Sequence, residues 1–469
     1  MTHELSPTAA TEPLDLVIRD ADVLACFDDA GTELAGGWLA IDDGVIVGLG
    51  DRTTTPPAAR EVVDARGCVV LPGLVNAHQH LYQNLTRAYA PAEQVESLTD
   101  WFWTYFTAWA RLDADAAAIS TTVGLAELAL SGCTTSADHL YLHPEPALMD
   151  AQIEAARAVG LRFSPVRGSM TIGPDDGGVC PPGLVERLDA VLDETARLVA
   201  EYHDPSPDSF VRVGVGPSTL MSSSADAMVE SRRLAEALDV RLHSHVADDP
   251  DEEAFVRARY GRRPLEVFED LGWLSDRTWL AHVVYPDERE VAMLAATGVS
   301  VAHCPSMTMI DGGLPGGPPP IRPMLDAGVN VGIGCDGATA ADHQSLWLET
   351  KLAMLLSRQR EGRATAMSAR DALRMATRGG ARALGREGEI GQLSIGANGD
   401  VSVWRVDTLP YAGVLADPIT GLMQCGPAWA WHTVVGGRFV VRDGQLRTVD
   451  VPRSLERHRR ASERIQLGR

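Results

Sequence analysis

Two rhythms of apolar and polar positions divide the chain. Over residues 15–70, short apolar runs alternate with turn residues, as in LDLVIRDADVLA, GGWLAIDDGVIVGLG and REVVDARGCVVLPG. That rhythm predicts strands joined by tight turns. It returns over about 388–448, in GEIGQLSIGANGDVSVWRV and AWHTVVGGRFVVRDGQL. The two ends are therefore expected to meet in one small β-sandwich domain, built from 15–71 and 388–450. Between them, strand-length apolar runs alternate with helical segments, the mark of βα units. Eight strand candidates stand in this region: GLVNAHQH (73–80), TTSADHLYL (134–142), LRFSPVRGS (161–169), VRVGVGPS (211–218), VRLHSHVAD (240–248), WLAHVV (279–284), VSVAHCPS (299–306) and VNVGIGCDG (329–337). Segments such as PALMDAQIEAARAVG and DEREVAMLAATG carry apolar residues at three- and four-residue spacing and end in Gly, a helix stop. From His80 to Asp336 the repeat is about 37 residues, which suits an α/β fold of the (β/α)8 TIM-barrel type over 72–387. An aromatic insertion at about 82–112 (SLTDWFWTYFTAWARL) is expected to lie over the barrel mouth. Residues 1–14 read as a disordered tail and 451–469 as a solvated helical tail.

Composition narrows the function. The 469 residues carry 64 Asp plus Glu against 41 Lys plus Arg, a net charge of −23. Phosphate backbones repel such a surface, so nucleic acid is excluded as an expected partner. No run of 18 apolar residues predicts a membrane span, and MTHELSPTAATEPLD lacks the basic and apolar regions of a secretory signal. The seven cysteines are scattered, with no C-x-x-C, and so read as reduced core thiols of a cytoplasmic protein.

The candidate chemistry lies at the C-terminal ends of the predicted strands, where barrel sites form. Strand one ends in His78-Gln79-His80, and residues two apart on a strand share a side, so both imidazoles can grip one ion. Strand five ends in His245, strand six carries His282 and strand eight ends in Asp336. Imidazole nitrogen and carboxylate oxygen suit zinc, with iron as a substitute. Taken singly, an H-x-H pair or a lone strand histidine is more often a packed residue than a ligand. What points to one metal ion is four such groups in register with the barrel count. His243 shares its side of the strand with His245, and register alone does not choose between them.

The succession LPGLVNAHQH, HSHVAD, WLAH, HCPS and GCDG resembles the amidohydrolase superfamily, in its aminohydrolase (deaminase) branch, over almost the entire chain. HQHLYQNLTRA, SGCTTSADHLYLHP, RGSMTIGPDDGG and DEEAFVRARYGRRP are similar to 8-oxoguanine deaminases and their triazine-hydrolase relatives. The resemblance implies that His78, His80, His245 and Asp336 hold one Zn2+ (or Fe2+) per subunit, and that His282 hydrogen-bonds the attacking hydroxide and the substrate. The family's acid is a glutamate three residues after the strand-five ligand; here that position is Asp248, one methylene shorter, with Asp249 beside it. Gln83 and Arg167 match ring-facing positions. Trp101, Trp103 and Tyr141 are candidates for stacking on a flat heterocycle, or else for plain packing. Asp138 and His139 are candidate supports. SMTMIDGGLPGGPPP and GATAADHQS depart from the family's Asn-rich stretches, which puts 8-oxoguanine itself in question as substrate. A homodimer or higher homo-oligomer is implied by likeness alone.

Hydrolytic deamination of a purine-, pterin- or triazine-like base is the expectation. Removal of chloride or an alkylamine from a triazine shares nearly every motif. A binuclear site bridged by a carbamylated lysine on strand four is disfavoured, because the one lysine, Lys351, lies after strand eight. A non-enzymatic binding homologue would normally have lost its ligands.

Overall fold

A computed structural model describes residues 12–95, 97–310, 317–341, 343–426 and 428–468. Every one of the eight strand candidates forms a strand: β1 (Leu74–Asn76), β2 (Cys133–Leu140), β3 (Arg162–Ser169), β4 (Gly214–Pro217), β5 (Leu242–Val246), β6 (Thr278–His282), β7 (Ser300–His303) and β8 (Asn330–Ile333). They pair in parallel in chain order, and β8 closes on β1 through Ile333 and Asn76. The result is the expected (β/α)8 barrel. Apart from the partly exposed Asn330, every residue of these strands is buried, because helices cover the outside and side chains fill the inside.

The helices start and stop where local chemistry directs. Helix Glu288–Thr297 opens with a capping box: Asp287 accepts from the Glu290 N–H at 2.8 Å, and Glu290 accepts from the Asp287 N–H at 2.9 Å. It ends at Gly298, whose φ of 74° few other residues tolerate.

Strands from both chain ends form one nine-stranded sheet. Its joint is the antiparallel pairing of Cys68–Pro72 with Val401–Arg405. A buried bidentate ion pair clamps the sheet to the barrel: Arg162, at the start of β3, meets Asp400 at 2.8 and 3.1 Å.

The expected N-terminal tail lies outside the described residues up to residue 11, and Leu14 already opens a strand. The C-terminal stretch is a helix, Val451–Leu467. It is mostly exposed, yet Ala461 and Ile465, four residues apart, bury one stripe, and Gln466 donates to the Leu85 carbonyl at 2.7 Å. Arg464 and Arg457 reach Asp113 and Asp115. The tail is thus strapped to the barrel rather than solvated on all sides.

The aromatic insertion folds as helix Leu98–Trp109. Trp109 stands edge-on to Tyr82 at 5.1 Å, and Tyr82 lies 6.2 Å from His80, so the insertion covers the flank of the segment that carries His80. Residues 311–316 of the Gly/Pro-rich stretch after β7 lie outside the described residues; Met307–Ile310 just before them form a short helix. All seven cysteines are free, six of them buried. Among the described residues no helix is long and apolar enough to cross a membrane.

Candidate metal centre

The barrel mouth gathers His78, His80, His245, His282 and Asp336, each at most 6% exposed. The geometry decides which nitrogen of each imidazole is bare. His80 donates from Nδ1 to the His139 carbonyl at 2.7 Å. His245 donates from Nδ1 to the Ser218 carbonyl at 2.8 Å. His243 donates from Nδ1 to the Trp279 carbonyl at 2.9 Å, so its Nε2 is an acceptor and takes the Nδ1–H of His78 at 2.8 Å. Each of His78, His80 and His245 therefore spends its proton on Nδ1 and turns an unprotonated Nε2 inward.

Those lone pairs converge. Nε2 of His80 and Nε2 of His245 stand 3.0 Å apart. Oδ1 of Asp336 lies 3.4 Å from Nε2 of His80 and 3.5 Å from Nε2 of His78. Nε2 of His78 is buried without a hydrogen-bond partner. Two bare acceptors facing each other at 3.0 Å repel unless a cation lies between them. Burial first, and then neighbouring imidazoles, hold His78, His80 and His245 well below the usual histidine range, which disfavours a proton in that place. The donor set of three imidazole nitrogens and one carboxylate fits a zinc-type ion, with the Nδ1 partners as the supporting layer such sites carry.

The two strand-five histidines sit differently: His243 meets His78 and stacks on Trp279 at 4.5 Å, whereas His245 groups with His78 and His139. His282 stacks on His245 at 5.4 Å and 12°, and one of its nitrogens lies within 4.8 Å of ligand atoms of His78 and Asp336.

Backbone strain concentrates at the same place. Ala247, His282, Val283 and Asp336 all have positive φ, at 52°, 74°, 49° and 61°. Such conformations are costly for residues with a Cβ, above all for Val, and they persist where the surroundings over-determine them. These residues lie at the C-terminal ends of β5, β6 and β8, where His282 and Asp336 group with His78.

The supports suggested by sequence take definite places. Asp138 accepts from the Leu81 N–H at 2.6 Å and so fixes the chain just after His80; burial pushes its carboxyl up to about 7. His139 donates from Nε2 to the Gly216 carbonyl at 2.7 Å, and it also belongs to a cluster with His78 and His245. Tyr141 stands edge-on to His80 at 5.0 Å and to His245 at 5.7 Å. Burial, and with it the charges of Asp336 and Asp248, raise its phenol well above the usual tyrosine range. Gln83 accepts from the Thr339 hydroxyl at 2.6 Å. Its amide fills the space where a Cβ on Gly337 would stand, which is why glycine follows Asp336.

Other candidates sit differently. Arg167 is buried, and Glu186 takes its guanidinium at 2.6 and 2.9 Å. Trp101 packs within the insertion, at 5.2 Å from Tyr105 and 5.5 Å from Trp109. Trp103 is 43% exposed. Asp249 caps helix Pro250–Tyr260 by accepting from the Asp251 N–H at 2.7 Å, so its carboxylate is already engaged.

Sequence reasoning passed over two residues. His303, at the end of β7, is fully buried; burial and then His282 lower it to about 3, and neither of its nitrogens has a hydrogen-bond partner among the described residues. HCPS carried that signal. Glu252 is 1% exposed and accepts from the Asp248 N–H at 3.0 Å.

Residues 69–438 match the model of the amidohydrolase family. An 8-oxoguanine deaminase of Pseudomonas aeruginosa is 39% identical, over 95% of this chain and 98% of its own. A hydroxydechloroatrazine ethylaminohydrolase of Pseudomonas sp. is 36% identical, over 90% of each. The crystal structure of an atrazine chlorohydrolase from Arthrobacter aurescens TC1, complexed with zinc, superposes with a TM-score of 0.89 at 33% identity, covering 95% of this chain and 100% of that one.

Proposed function

The chain belongs to the amidohydrolase family, and from that premise we propose that it is a zinc-dependent aminohydrolase that removes the amino group of a purine-, pterin- or triazine-like heterocycle as ammonia. The observation that carries this reading is the convergence of bare Nε2 atoms on the Asp336 carboxylate, at 3.4 and 3.5 Å. His78, His80, His245 and Asp336 would hold the ion, with iron as a substitute; when bound, it acidifies water and so makes a nucleophile available at neutral pH.

The chain's own residues perform the proton work. Asp336 takes the proton of the attacking water. His282, fixed by its stack on His245, hydrogen-bonds the incoming oxygen and the substrate. Asp248 relays the water's other proton to the ring nitrogen, and Asp336 passes the proton it took to the amine, because amide anion is too basic to leave. A carbon–oxygen bond forms at the amidine-like carbon, the carbon–nitrogen bond breaks and ammonia departs. Gln83 faces the ring from the Asp336–Gly337 side. Arg167, tied to Glu186, shapes the pocket wall, and Trp101 is assigned to the insertion that shields it.

Removal of an alkylamine or chloride from a triazine is the second reading, supported by the likeness to the ethylaminohydrolase and the chlorohydrolase. A panel of aminated and chlorinated heterocycles, assayed for ammonia, alkylamine and chloride, separates the two. Ammonia release that is lost on chelation and restored by Zn2+ is the expected result. Purified protein that binds no metal and turns over none of the panel would refute both.

A further inference from the structure

Glu252 sits in an acidic stretch, DDPDEEAF, that reads as the solvated start of a helix. Its surroundings are of another kind. The side chain is 1% exposed, forms no ion pair among the described residues, and leaves Oε1 buried without a hydrogen-bond partner. Its other oxygen, Oε2, accepts from the Asp248 N–H at 3.0 Å.

Helix capping does not account for this. Helix Pro250–Tyr260 is already capped by Asp249, and Glu252 reaches past that cap to the residue before it. It thereby ties down the turn that begins at Ala247, whose φ is 52°. A strained turn of this kind needs an external tie. Because Asp248 is one methylene shorter than glutamate, the reach of its carboxylate depends on where the main chain at 248 is held.

We propose that Glu252 is the positioning residue for Asp248, holding the main chain of that turn so that the shorter carboxylate reaches the substrate. This rests on the reading of Asp248 given above. The titratable groups that face Glu252 are Asp248 and His282. Burial first, and then the charge of Asp248, push the Glu252 carboxyl up to about 8. Held neutral below that range, Glu252 adds no charge beside Asp248; ionised above it, Glu252 would disturb the turn.

The test compares Glu252→Leu, Glu252→Gln and Asp248→Asn in the zinc-loaded enzyme. Glu252→Leu should keep its metal and lose about 100-fold in kcat, the cost of misplacing a reacting group by about 1 Å. Glu252→Gln, whose amide oxygen still accepts the Asp248 N–H, should recover most of that loss and lack the alkaline fall in kcat near pH 8. Asp248→Asn impaired beside a wild-type-like Glu252→Leu overturns this inference alone. An unimpaired Asp248→Asn leaves Glu252 nothing to position and overturns both readings. Should Glu252→Leu fail to fold, the Gln variant decides: a pH profile superimposable on that of the wild type overturns the inference.

Discussion

Nδ1 of His78 and Nε2 of His243 lie 2.8 Å apart, so the residue that sequence offers as a rival ligand accepts from His78, one of the proposed ligands. The two strand-five histidines should therefore differ sharply on removal. His245→Ala is expected to abolish stoichiometric metal binding. His243→Ala should retain the ion with an affinity about 10–100-fold weaker, the usual effect of deleting a supporting partner. Metal content after dialysis against graded chelator reads both. Equal loss in the two variants would contradict the assignment.

Asp248→Asn should bind metal as the wild type does and lose turnover by about 10²–10⁴-fold, the range for a positioned proton donor. Parallel metal analysis and ammonia assay check it. Unchanged turnover would remove Asp248 from the proton path, and with Asp249 committed to a helix cap the acid would have to be sought elsewhere.

Much of this centre was legible because its signals are periodic. Eight apolar runs of strand length, bounded by helix patterns and glycines, require a closed parallel barrel, and each polar residue at a run's end then falls at the mouth. What was not legible depends on packing between segments far apart in the chain. His243 and His245 share one side of β5, and only the Trp279 and Ser218 carbonyls, on neighbouring elements, tell them apart. The pairing of Arg167 with Glu186, 19 residues on, was likewise not legible. The C-terminal segment reads as solvated because arginines dominate it, yet Ala461 and Ile465 at helical spacing suffice to dock it.

Asp138 makes a pH prediction. Burial pushes its carboxyl from the usual 3.8 up to about 7. Between those values the folded protein holds a proton that the unfolded chain has released. The group's stabilising contribution is thus fully present below pH 3.8 and is lost as pH rises through about 7. Asp138→Asn keeps an oxygen for the Leu81 N–H and removes the titration. Relative to that variant, the wild type should lose on the order of a few kcal/mol between pH 4 and pH 8. Denaturant unfolding at the two pH values measures it; a constant difference would show that Asp138 does not carry the proton.

The clamp between sheet and barrel should behave as a buried charge pair, and its failure should be thermodynamic rather than catalytic. Arg162 and Asp400 are each about 1% exposed in their side chains, and the Asp400 carboxylate also accepts from the Gly436 N–H at 2.8 Å. Replacing Asp400 by Asn strands a guanidinium in the interior, which typically costs about 3–5 kcal/mol. Replacing both residues by apolar ones of similar size removes the stranded charge, so the double variant should be more stable than the sum of the single losses, with a coupling of about 1 kcal/mol or more. Arg162 lies at the start of β3, whereas the ligands gather at the strand ends of the opposite face. Folded Asp400→Asn protein should accordingly bind a full complement of metal while melting earlier. Additive losses in a double-mutant cycle, or loss of metal from protein that is still folded, would show that the pair does something other than join the two parts of the chain.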